Sequence, residues 1–300
     1  MGVDPIPRVS DTSFFIIFTD LDGTLLDHTT YRWKEAIPAL DTCKRRKVPV
    51  VLVSSKTRAE MDLLRRSMSL TDPFISENGG GIFFPRETFG IPPPQAIAAP
   101  AQEGQKTLRD KGLWQWSLGL PYGDMVKGLQ GLREELGWHA RGFSDMSIEE
   151  ISAFTGLDKE STRLATMREF DEPFVILDPQ IPDMERLSEV AAKRGLKVTL
   201  GGRFYHLQGK NDKGKAMEKI LTWYSGKHGR ITSIALGDSP NDFPMLERAD
   251  FPVLVRSGQE FRGLKEKIPG LKVTRQMGPK GWNTAVLEAL NGRDEERTHD

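Results

Sequence analysis

The sequence contains little cysteine and no excess of charge of either sign. Cys43 is the only cysteine among the 300 residues, which excludes an internal disulfide and a cysteine-based metal cluster and is typical of a reducing compartment. Lysine and arginine together number 42, as do aspartate and glutamate, so the formal net charge is zero. Without a net positive charge, no overall field attracts the chain to nucleic acid or to an anionic membrane. Any anion that it binds must be held by a local site.

Long hydrophobic runs are also missing. The longest apolar run near the start, 14–18, has five residues, whereas a membrane helix needs roughly 20. It is also too short for the core of a signal peptide. Met1 and Gly2 could begin a myristoylation signal, but residue 6 is Ile instead of Ser or Thr. We expect a soluble cytoplasmic protein, a monomer or a small homo-oligomer, with no nucleic-acid or membrane partner.

Apolar material is sufficient for a folded core, because 38% of the residues are hydrophobic and 15 of them are Phe. Short apolar runs alternate with helical stretches at both ends of the chain, a pattern typical of a parallel sheet buried on both faces. The predicted strands are 14–19, 48–54, 231–236 and 251–255, and the predicted helices are 31–47, 57–68, 213–224, 241–248 and 282–290. Both ends therefore predict one doubly wound, Rossmann-like α/β domain.

The middle of the chain has a different composition. It becomes rich in proline soon after Phe84 and shows no obvious continuation of the sheet, so we expect it to leave the core domain there. Residues 147–150, Ser-Ile-Glu-Glu, form a capping-box pattern that opens a helix. Strands are predicted at 174–177, 197–200 and 204–208. The prediction is an inserted α+β cap at 85–207, a core at 1–84 and 208–290, and a frayed tail at 291–300.

Acidic residues follow the first predicted strand directly. Asp20 and Asp22, with Gly23 and Thr24, form an Asp-Leu-Asp-Gly-Thr motif. In an open α/β sheet, ligands bind beyond the carboxyl ends of the strands, so both carboxylates are expected to face the crevice. One alternative is a polar turn that caps the next helix. Another is a calcium loop, although an EF-hand requires glycine at its sixth position and Gly23 is the fourth.

A second acidic cluster follows the strand predicted at 231–236. It contains Asp238 and Asp242 in the sequence Gly-Asp-Ser-Pro-Asn-Asp. The two clusters can meet only if their strands are neighbours, and converging carboxylates repel each other unless a cation such as Mg²⁺ lies between them. We therefore expect a magnesium site. The alternative for Asp242 is the N-cap of a helix.

Hydroxyl groups and one lysine complete a predicted phosphate site. Ser54 and Ser55 follow the strand at 48–54, and Lys213 opens the helix that returns the chain to the core. A phosphate dianion beside several carboxylates requires positive charge, which Lys213 would add to that of the metal. The alternative is a lysine on the solvated surface.

These four elements resemble, in order, the motifs of the haloacid dehalogenase-like superfamily of phosphatases. Because 34 residues separate Asp20 from Ser54 and 159 separate Ser54 from Lys213, the placement resembles the subclass whose cap follows the second motif. A narrower resemblance to the mannosyl-3-phosphoglycerate phosphatase family rests on residues 54–61, 76–80, 142–146, 155–157, 168–170 and 201–206. The dozen residues before the first strand and the passage around Pro92 depart from that pattern.

The resemblance implies a Mg²⁺-dependent reaction through an aspartyl-phosphate. Asp20 would be the nucleophile, Asp22 would protonate the leaving group, and Lys213 would complete the catalytic set. Gly23, Thr24, Ser54 and Ser55 would bind the phosphate. The metal would be held by Asp20, Asp22 through its backbone carbonyl, Asp238 and Asp242.

The implied substrate is a small phosphorylated sugar-glycerate. Its predicted contacts are Lys56, Glu77, Asn78, Arg168 and Arg203, where the two arginines would grip the glycerate carboxylate. The alternative for either arginine is a surface position or an internal salt bridge. His206 is expected to be structural, with a catalytic role as the alternative. Trp114 and Trp116 are expected to be core residues, with stacking on a sugar as the alternative.

Other functions remain open at this point. The substrate could be glucosyl-3-phosphoglycerate or a hexose phosphate, and a phosphomannomutase-like enzyme shares the core and the cap placement. A non-catalytic phosphosugar-binding regulator is a third possibility, against which the intact pair of Asp20 and Asp22 argues.

Overall fold

The computed structural model describes residues 14–101, 112–178, 183–201 and 204–291. These ranges contain thirteen β-strands, which are β1 (Phe14–Thr19), β2 (Val50–Val53), β3 (Phe74–Ser76), β4 (Gly81–Pro85), β5 (Ile97–Ala98), β6 (Leu113–Ser117), β7 (Ala140–Gly142), β8 (Asp171–Ile176), β9 (Lys197–Gly201), β10 (Phe204–Gln208), β11 (Ile231–Gly237), β12 (Phe251–Arg256) and β13 (Lys272–Met277). They also contain ten α-helices, which are α1 (Ile37–Arg46), α2 (Arg58–Ser67), α3 (Tyr122–Leu136), α4 (Ile148–Thr155), α5 (Lys159–Ala165), α6 (Met184–Lys193), α7 (Lys213–His228), α8 (Phe243–Leu246), α9 (Leu264–Lys267) and α10 (Gly278–Asn291).

The chain divides into two compact units. The first is formed by both ends of the chain, Met1–Val51 and Met217–Asp300, and the second by Leu52–Ala216. The division passes through β2 and α7. The predicted core and cap use other boundaries, at 84/85 and 207/208, and stay a prediction. Of the predicted tail only Asn291 lies within the described residues, where it ends α10.

A parallel sheet forms the centre of the first unit, with the strand order β13-β12-β11-β1. β1 and β11 pair in register from Phe14 and Ile231 to Thr19 and Leu236. Nearly every residue of both strands is buried, as expected for apolar runs in a parallel sheet. The predicted neighbourhood of these two strands is confirmed, so their carboxyl ends emerge side by side.

Helices cover this sheet. α10 packs against β12, β13 and α1, and the side-chain oxygen of Asn283 accepts a hydrogen bond of 2.9 Å from the backbone N–H of Ala39. α10 begins four residues before the predicted start, at Gly278, and Pro279 occupies its first turn, where proline lacks only an N–H that would have had no partner in the helix.

A mixed sheet lies in the second unit, in the order β2-β3-β4-β6-β5. β2 and β3 are parallel, whereas β4 pairs antiparallel with both β3 and β6. The expectation that the sheet stops near Phe84 is therefore wrong. β6 alternates buried residues (Leu113, Gln115) with half-buried tryptophans (Trp114, Trp116), which is the two-residue period of a strand.

An antiparallel sheet, β7-β8-β10-β9, forms the rest of the second unit together with α3 and α6. Its core contains Met125, Leu129, Phe174, Leu187 and Leu207. The predicted capping box opens α4, because Ser147 and Glu150 each accept a hydrogen bond from the backbone N–H of the other. The predicted class, an α/β core with an α+β cap, is confirmed.

Candidate active site

Three carboxylates meet where β1 and β11 end. The backbone N–H of Asp20 donates to the Leu236 carbonyl at 2.9 Å, which continues the pairing by one residue. Carboxylate oxygens of Asp20, Asp238 and Asp242 lie within 4.8 Å of one another and could hold a metal ion. Asp20 and Asp242 are buried, and Asp238 is half-buried. An arrangement of oxygen ligands fits the preference of Mg²⁺.

The loop after β1 is shaped to admit Asp238. Gly23 has a φ of +81°, and a Cβ atom added to it would lie 2.6 Å from Oδ2 of Asp238. The Thr24 hydroxyl donates to the other carboxylate oxygen of Asp238 at 3.4 Å. The N–H groups of Gly23 and Thr24 donate to the carbonyls of Leu26 and Leu21, respectively, and so close the loop. Phosphate binding by Gly23 and Thr24 stays a prediction.

Asp242 supports the backbone that carries Asp238. Its Oδ2 accepts hydrogen bonds from the N–H groups of Asp238 (3.0 Å) and Ser239 (3.1 Å). Gly237 makes room for this contact, since a Cβ atom there would lie 2.4 Å from the Cγ of Asp242. Asp242 is thus the third residue of a capping box whose N-cap is Ser239, whereas at the start of α8 its side chain makes no capping hydrogen bond. The same residue belongs to the carboxylate group. The Asp22 side chain is not a member of that group. Its predicted contribution to the metal site is its backbone carbonyl.

The end of β2 and the turn after β3 are bonded to each other in the second unit. The N–H of Asn78 donates to the Ser54 carbonyl, and the N–H of Glu77 donates to the Lys56 carbonyl, each at 3.0 Å. Glu77 and Asn78 have φ values of 47° and 53°, which are uncommon for residues with a side chain. The structure thus brings together four residues that the sequence singled out for the phosphate and the substrate.

Lys213 begins α7 beside the same turn. A Cβ atom on Gly79 would lie 2.3 Å from the Asp212 carbonyl oxygen and 3.2 Å from the backbone nitrogen of Lys213, so this approach requires glycine. Lys213 is fully buried, which excludes the alternative of a solvated surface lysine. A buried ammonium group requires negative partners.

The carboxylate of Glu77 binds backbone in the second unit. It accepts hydrogen bonds from the N–H of Glu169 at 3.1 Å and from that of Phe170 at 2.8 Å. Burial raises the pKa of Glu77 to about 8, although the positive charge of Arg168 opposes the shift. Substrate binding by Glu77 stays a prediction.

Arg168 links three parts of the second unit. Its guanidinium donates to the Ser55 carbonyl at 2.8 Å and lies 3.4 Å from a carboxylate oxygen of Asp171. The group is almost fully buried and lies over the ring of Phe143. Burial opposes its charge, but Asp171 and Glu77 outweigh burial and raise the pKa of Arg168. These contacts match the internal salt bridge that the sequence left open, and carboxylate binding by Arg168 stays a prediction.

Sequence reasoning missed a pair of buried acids at the start of β8. Asp171 pairs with Nδ1 of His206 at 2.7 Å, which gives that histidine a structural partner. Glu172 accepts hydrogen bonds of 2.6 Å from the hydroxyls of Tyr122 and Ser144, and burial raises the pKa of Glu172. The sequence feature that could have revealed them is two acidic residues directly before the apolar residues of a strand. Arg203 lies outside the described residues.

The sequence profile of the haloacid dehalogenase-like hydrolases matches residues 17–89 and 204–262. A glucosyl-3-phosphoglycerate/mannosyl-3-phosphoglycerate phosphatase of Persephonella marina is 36% identical over 279 residues, which cover 92% of this chain and 97% of that protein. A phosphatase of the same name from Methanococcoides burtonii is 37% identical over 276 residues, with the same two coverages. The chain belongs to the haloacid dehalogenase-like hydrolases, in the family of these phosphatases.

This protein is therefore a phosphoric monoester hydrolase. A crystal structure of a Thermoplasma acidophilum protein has the same fold, with a TM-score of 0.64 at 18% identity over 93% of this chain and 99% of that one. None of the helices in the described part of the chain is long and apolar enough to cross a membrane.

Proposed function

We propose that this phosphatase hydrolyses mannosyl-3-phosphoglycerate to mannosylglycerate and phosphate. The support for the substrate is the name shared by two relatives that are 36% and 37% identical over 92% of the chain. The same name supports glucosyl-3-phosphoglycerate as a second substrate. The observation that carries the chemistry is the group of three carboxylates at the ends of β1 and β11.

Mg²⁺ is the proposed cofactor. The side chains of Asp20 and Asp238 and the backbone carbonyl of Asp22 would hold it, with Asp242 as a further acidic neighbour, and oxygen donors of this kind suit the ion. When bound, Mg²⁺ neutralises negative charge on the transferring phosphoryl group.

Two displacements at phosphorus make up the proposed reaction. A carboxylate oxygen of Asp20 attacks phosphorus in line, the bond to the glycerate oxygen breaks, and Asp22 donates a proton to that oxygen. Asp22 then takes a proton from water, whose oxygen attacks the aspartyl-phosphate. Phosphate leaves and the Asp20 carboxylate is regenerated. Dividing the hydrolysis in this way replaces one difficult step by two easier ones.

The phosphoryl oxygens are assigned to hydroxyl, ammonium and backbone donors. We propose that Ser54, Ser55 and Lys213 bind them together with Gly23 and Thr24. The burial of Ser54 and Lys213 supports this assignment, because a charged or hydroxyl donor in a dry site stabilises developing charge more than it would in water.

Substrate selection is assigned to the second unit. The glycerate carboxylate is a planar anion that a guanidinium can bind through two parallel hydrogen bonds, and we propose Arg168 and Arg203 for this contact. Lys56, Glu77 and Asn78 are proposed to line the same subsite, which is supported by the bonds that join their turns to Ser54.

A panel of phosphate esters tests the proposal. Phosphate release by the purified protein with Mg²⁺ is measured on mannosyl-3-phosphoglycerate, glucosyl-3-phosphoglycerate and mannose 6-phosphate, with Asp20→Asn as the inactive control. The expected result is a higher kcat/KM for the two glycerate esters. A clear preference for the hexose phosphate would overturn the substrate. Interconversion of mannose 1- and 6-phosphates without phosphate release would instead identify a mutase.

A further inference from the structure

A chain of two hydrogen bonds connects α10 to the backbone of Asp20. The indole N–H of Trp282 donates to the Thr19 hydroxyl oxygen at 2.9 Å. That hydroxyl in turn donates to the backbone carbonyl oxygen of Asp20 at 2.7 Å. Trp282 and Thr19 are both fully buried, so water does not compete for either bond.

Packing alone does not require these polar groups. Thr19 ends a strand whose preceding residues are all apolar, and valine, which has nearly the same shape, would fill the same space without a hydroxyl. The indole N–H of a buried tryptophan needs an acceptor, whereas phenylalanine would fill much of the same volume without that need. The indole N–H and the hydroxyl therefore serve a purpose other than packing. Together they form the hydrogen bonds that end at the Asp20 carbonyl.

Asp20 is held at both of its peptide groups as a result. Its N–H donates to the Leu236 carbonyl of β11 at 2.9 Å, and its carbonyl accepts from Thr19. Between these two anchors, the direction of the Cα–Cβ bond is fixed, which sets the positions that the carboxylate can reach by rotation of the side chain. The first anchor is a carbonyl of β11, and the second is the Thr19 hydroxyl, which Trp282 of α10 holds in turn.

The start of α10 also lies against the loop that follows Asp20. A Cβ atom built on Gly278 would be 3.9 Å from the Gly23 carbonyl oxygen and 4.0 Å from the Leu26 carbonyl oxygen, which is ordinary contact distance. The first turn of α10 thus borders the loop that carries Asp22, and Trp282, one turn further on, reaches the strand before it.

We propose that Thr19 and Trp282 are positioning residues for Asp20. They hold its backbone so that the carboxylate meets phosphorus in line, a geometry on which the rate of a displacement depends steeply. This inference rests on the proposed role of Asp20 as the nucleophile. It adds that the orientation of Asp20 depends on the hydroxyl at position 19 and the indole N–H at position 282.

The decisive variants are Thr19→Val, which removes the hydroxyl, and Thr19→Ser, which keeps it. With p-nitrophenyl phosphate and saturating Mg²⁺, kcat of Thr19→Val is expected to fall about tenfold or more, with little change in KM. Thr19→Ser is expected to retain most of the wild-type kcat. Equal losses in both variants, or an unchanged kcat in Thr19→Val, would overturn the proposal.

Trp282→Phe tests the other end of the chain of bonds. It is expected to lower kcat by less than Thr19→Val, because the Thr19 hydroxyl can still donate to Asp20. In the double variant Thr19→Val/Trp282→Phe, the loss should be smaller than the product of the two single losses, since both changes act through one hydroxyl. A loss of kcat in the double variant equal to the product of the two single losses would contradict a shared action through the Thr19 hydroxyl. If Thr19→Val does not fold, an unchanged kcat in Trp282→Phe overturns the proposal by itself.

Val286→Ala is the control for packing. Val286 is buried on the same helix and has no polar side-chain atom, so the change lowers Tm without altering the hydrogen bonds. If Val286→Ala and Thr19→Val lower Tm equally and also lower kcat equally, the effect of Thr19→Val is one of stability alone, which would overturn the proposal. Asp20→Asn is measured alongside. Substantial activity in that variant would refute the nucleophile itself, an outcome that is distinct from any pattern among the Thr19 variants.

Discussion

Gly23 and Asp238 approach so closely that no side chain fits between them. A Cβ atom on Gly23 would lie 2.6 Å from Oδ2 of Asp238, and the φ of +81° at Gly23 is itself unfavourable for other residues. The first and second acidic clusters therefore meet only because the fourth residue of the first motif is glycine.

Gly23→Ala is expected to weaken both the metal site and the fold. The left-handed backbone costs about 1–2 kcal/mol of stability, and displacement of Asp238 should raise the Mg²⁺ concentration for half-maximal activity about 10- to 100-fold. The matched control is Gly137→Ala, because Gly137 has a φ of +67° but nothing within 4 Å of an added Cβ atom. It should lose stability and keep its Mg²⁺ dependence. The same Mg²⁺ dependence in both variants would contradict the close approach as the cause.

Asp20→Asn is expected to lower kcat by about 10⁴-fold or more, because an amide oxygen cannot take the place of the carboxylate nucleophile. The side chain keeps its size, so circular dichroism and Tm should stay close to those of the wild type. Asp41→Asn, at an exposed position, serves as the control and should be fully active. Activity of Asp20→Asn within about tenfold of the wild type would refute the nucleophile.

Removal of divalent metal by a chelator is expected to abolish phosphate release, and added Mg²⁺ should restore it. Asp238→Asn should require a higher Mg²⁺ concentration, since one carboxylate of the group of three is lost. Titration of activity against Mg²⁺ gives both results. A rate that the chelator leaves unchanged would remove the metal from the mechanism.

Stability is expected to fall as the pH rises from about 5 to 8, in part through Glu77. Burial raises its pKa in the folded protein to about 8, whereas glutamate in the unfolded chain ionises near pH 4.3, so that between about pH 4.3 and 8 the folded state binds more protons. Glu77→Gln cannot ionise and should lose this contribution, which is at most about 1.4 kcal/mol per pH unit.

The measurement is the difference in unfolding free energy between wild type and Glu77→Gln at several pH values. Glu169 and Glu172, whose pKa values burial also raises, are present in both proteins, so their contributions largely cancel. A difference between wild type and Glu77→Gln that stays constant with pH would contradict the raised pKa of Glu77.

Arg168→Lys is expected to impair glycerate esters selectively. A lysine keeps the charge but not the planar pair of donors, so KM for mannosyl-3-phosphoglycerate should rise about tenfold or more while KM for p-nitrophenyl phosphate stays close to that of the wild type. Equal losses on both substrates would assign Arg168 to structure alone, through its bonds to Ser55 and Asp171.

The elements at the two ends of the chain could be predicted because their apolar runs are continuous. β1 matches its predicted bounds, and the group formed by Asp20, Asp238 and Asp242 follows from strands that end in acids. β4 and β6 could not be predicted, because glycine and proline form the ends of β4 and large apolar residues lie on both faces of β6, so neither shows a clear alternation of apolar and polar residues. Contacts between distant residues, such as Glu77 with Phe170, leave no periodic signal at all.

By itself, the sequence determined which residues could perform chemistry at phosphorus, since carboxylates, hydroxyls and a lysine at strand and helix ends need only local patterns to be recognised. The tertiary structure decided which of them meet and what else they bind. It gave Asp242 a capping role beside its place among the carboxylates, buried Lys213, and engaged Arg168 and Glu77 with the protein's own backbone. The physical reason is that local propensity acts over a few residues, whereas burial and pairing are fixed only when segments far apart in the chain pack together.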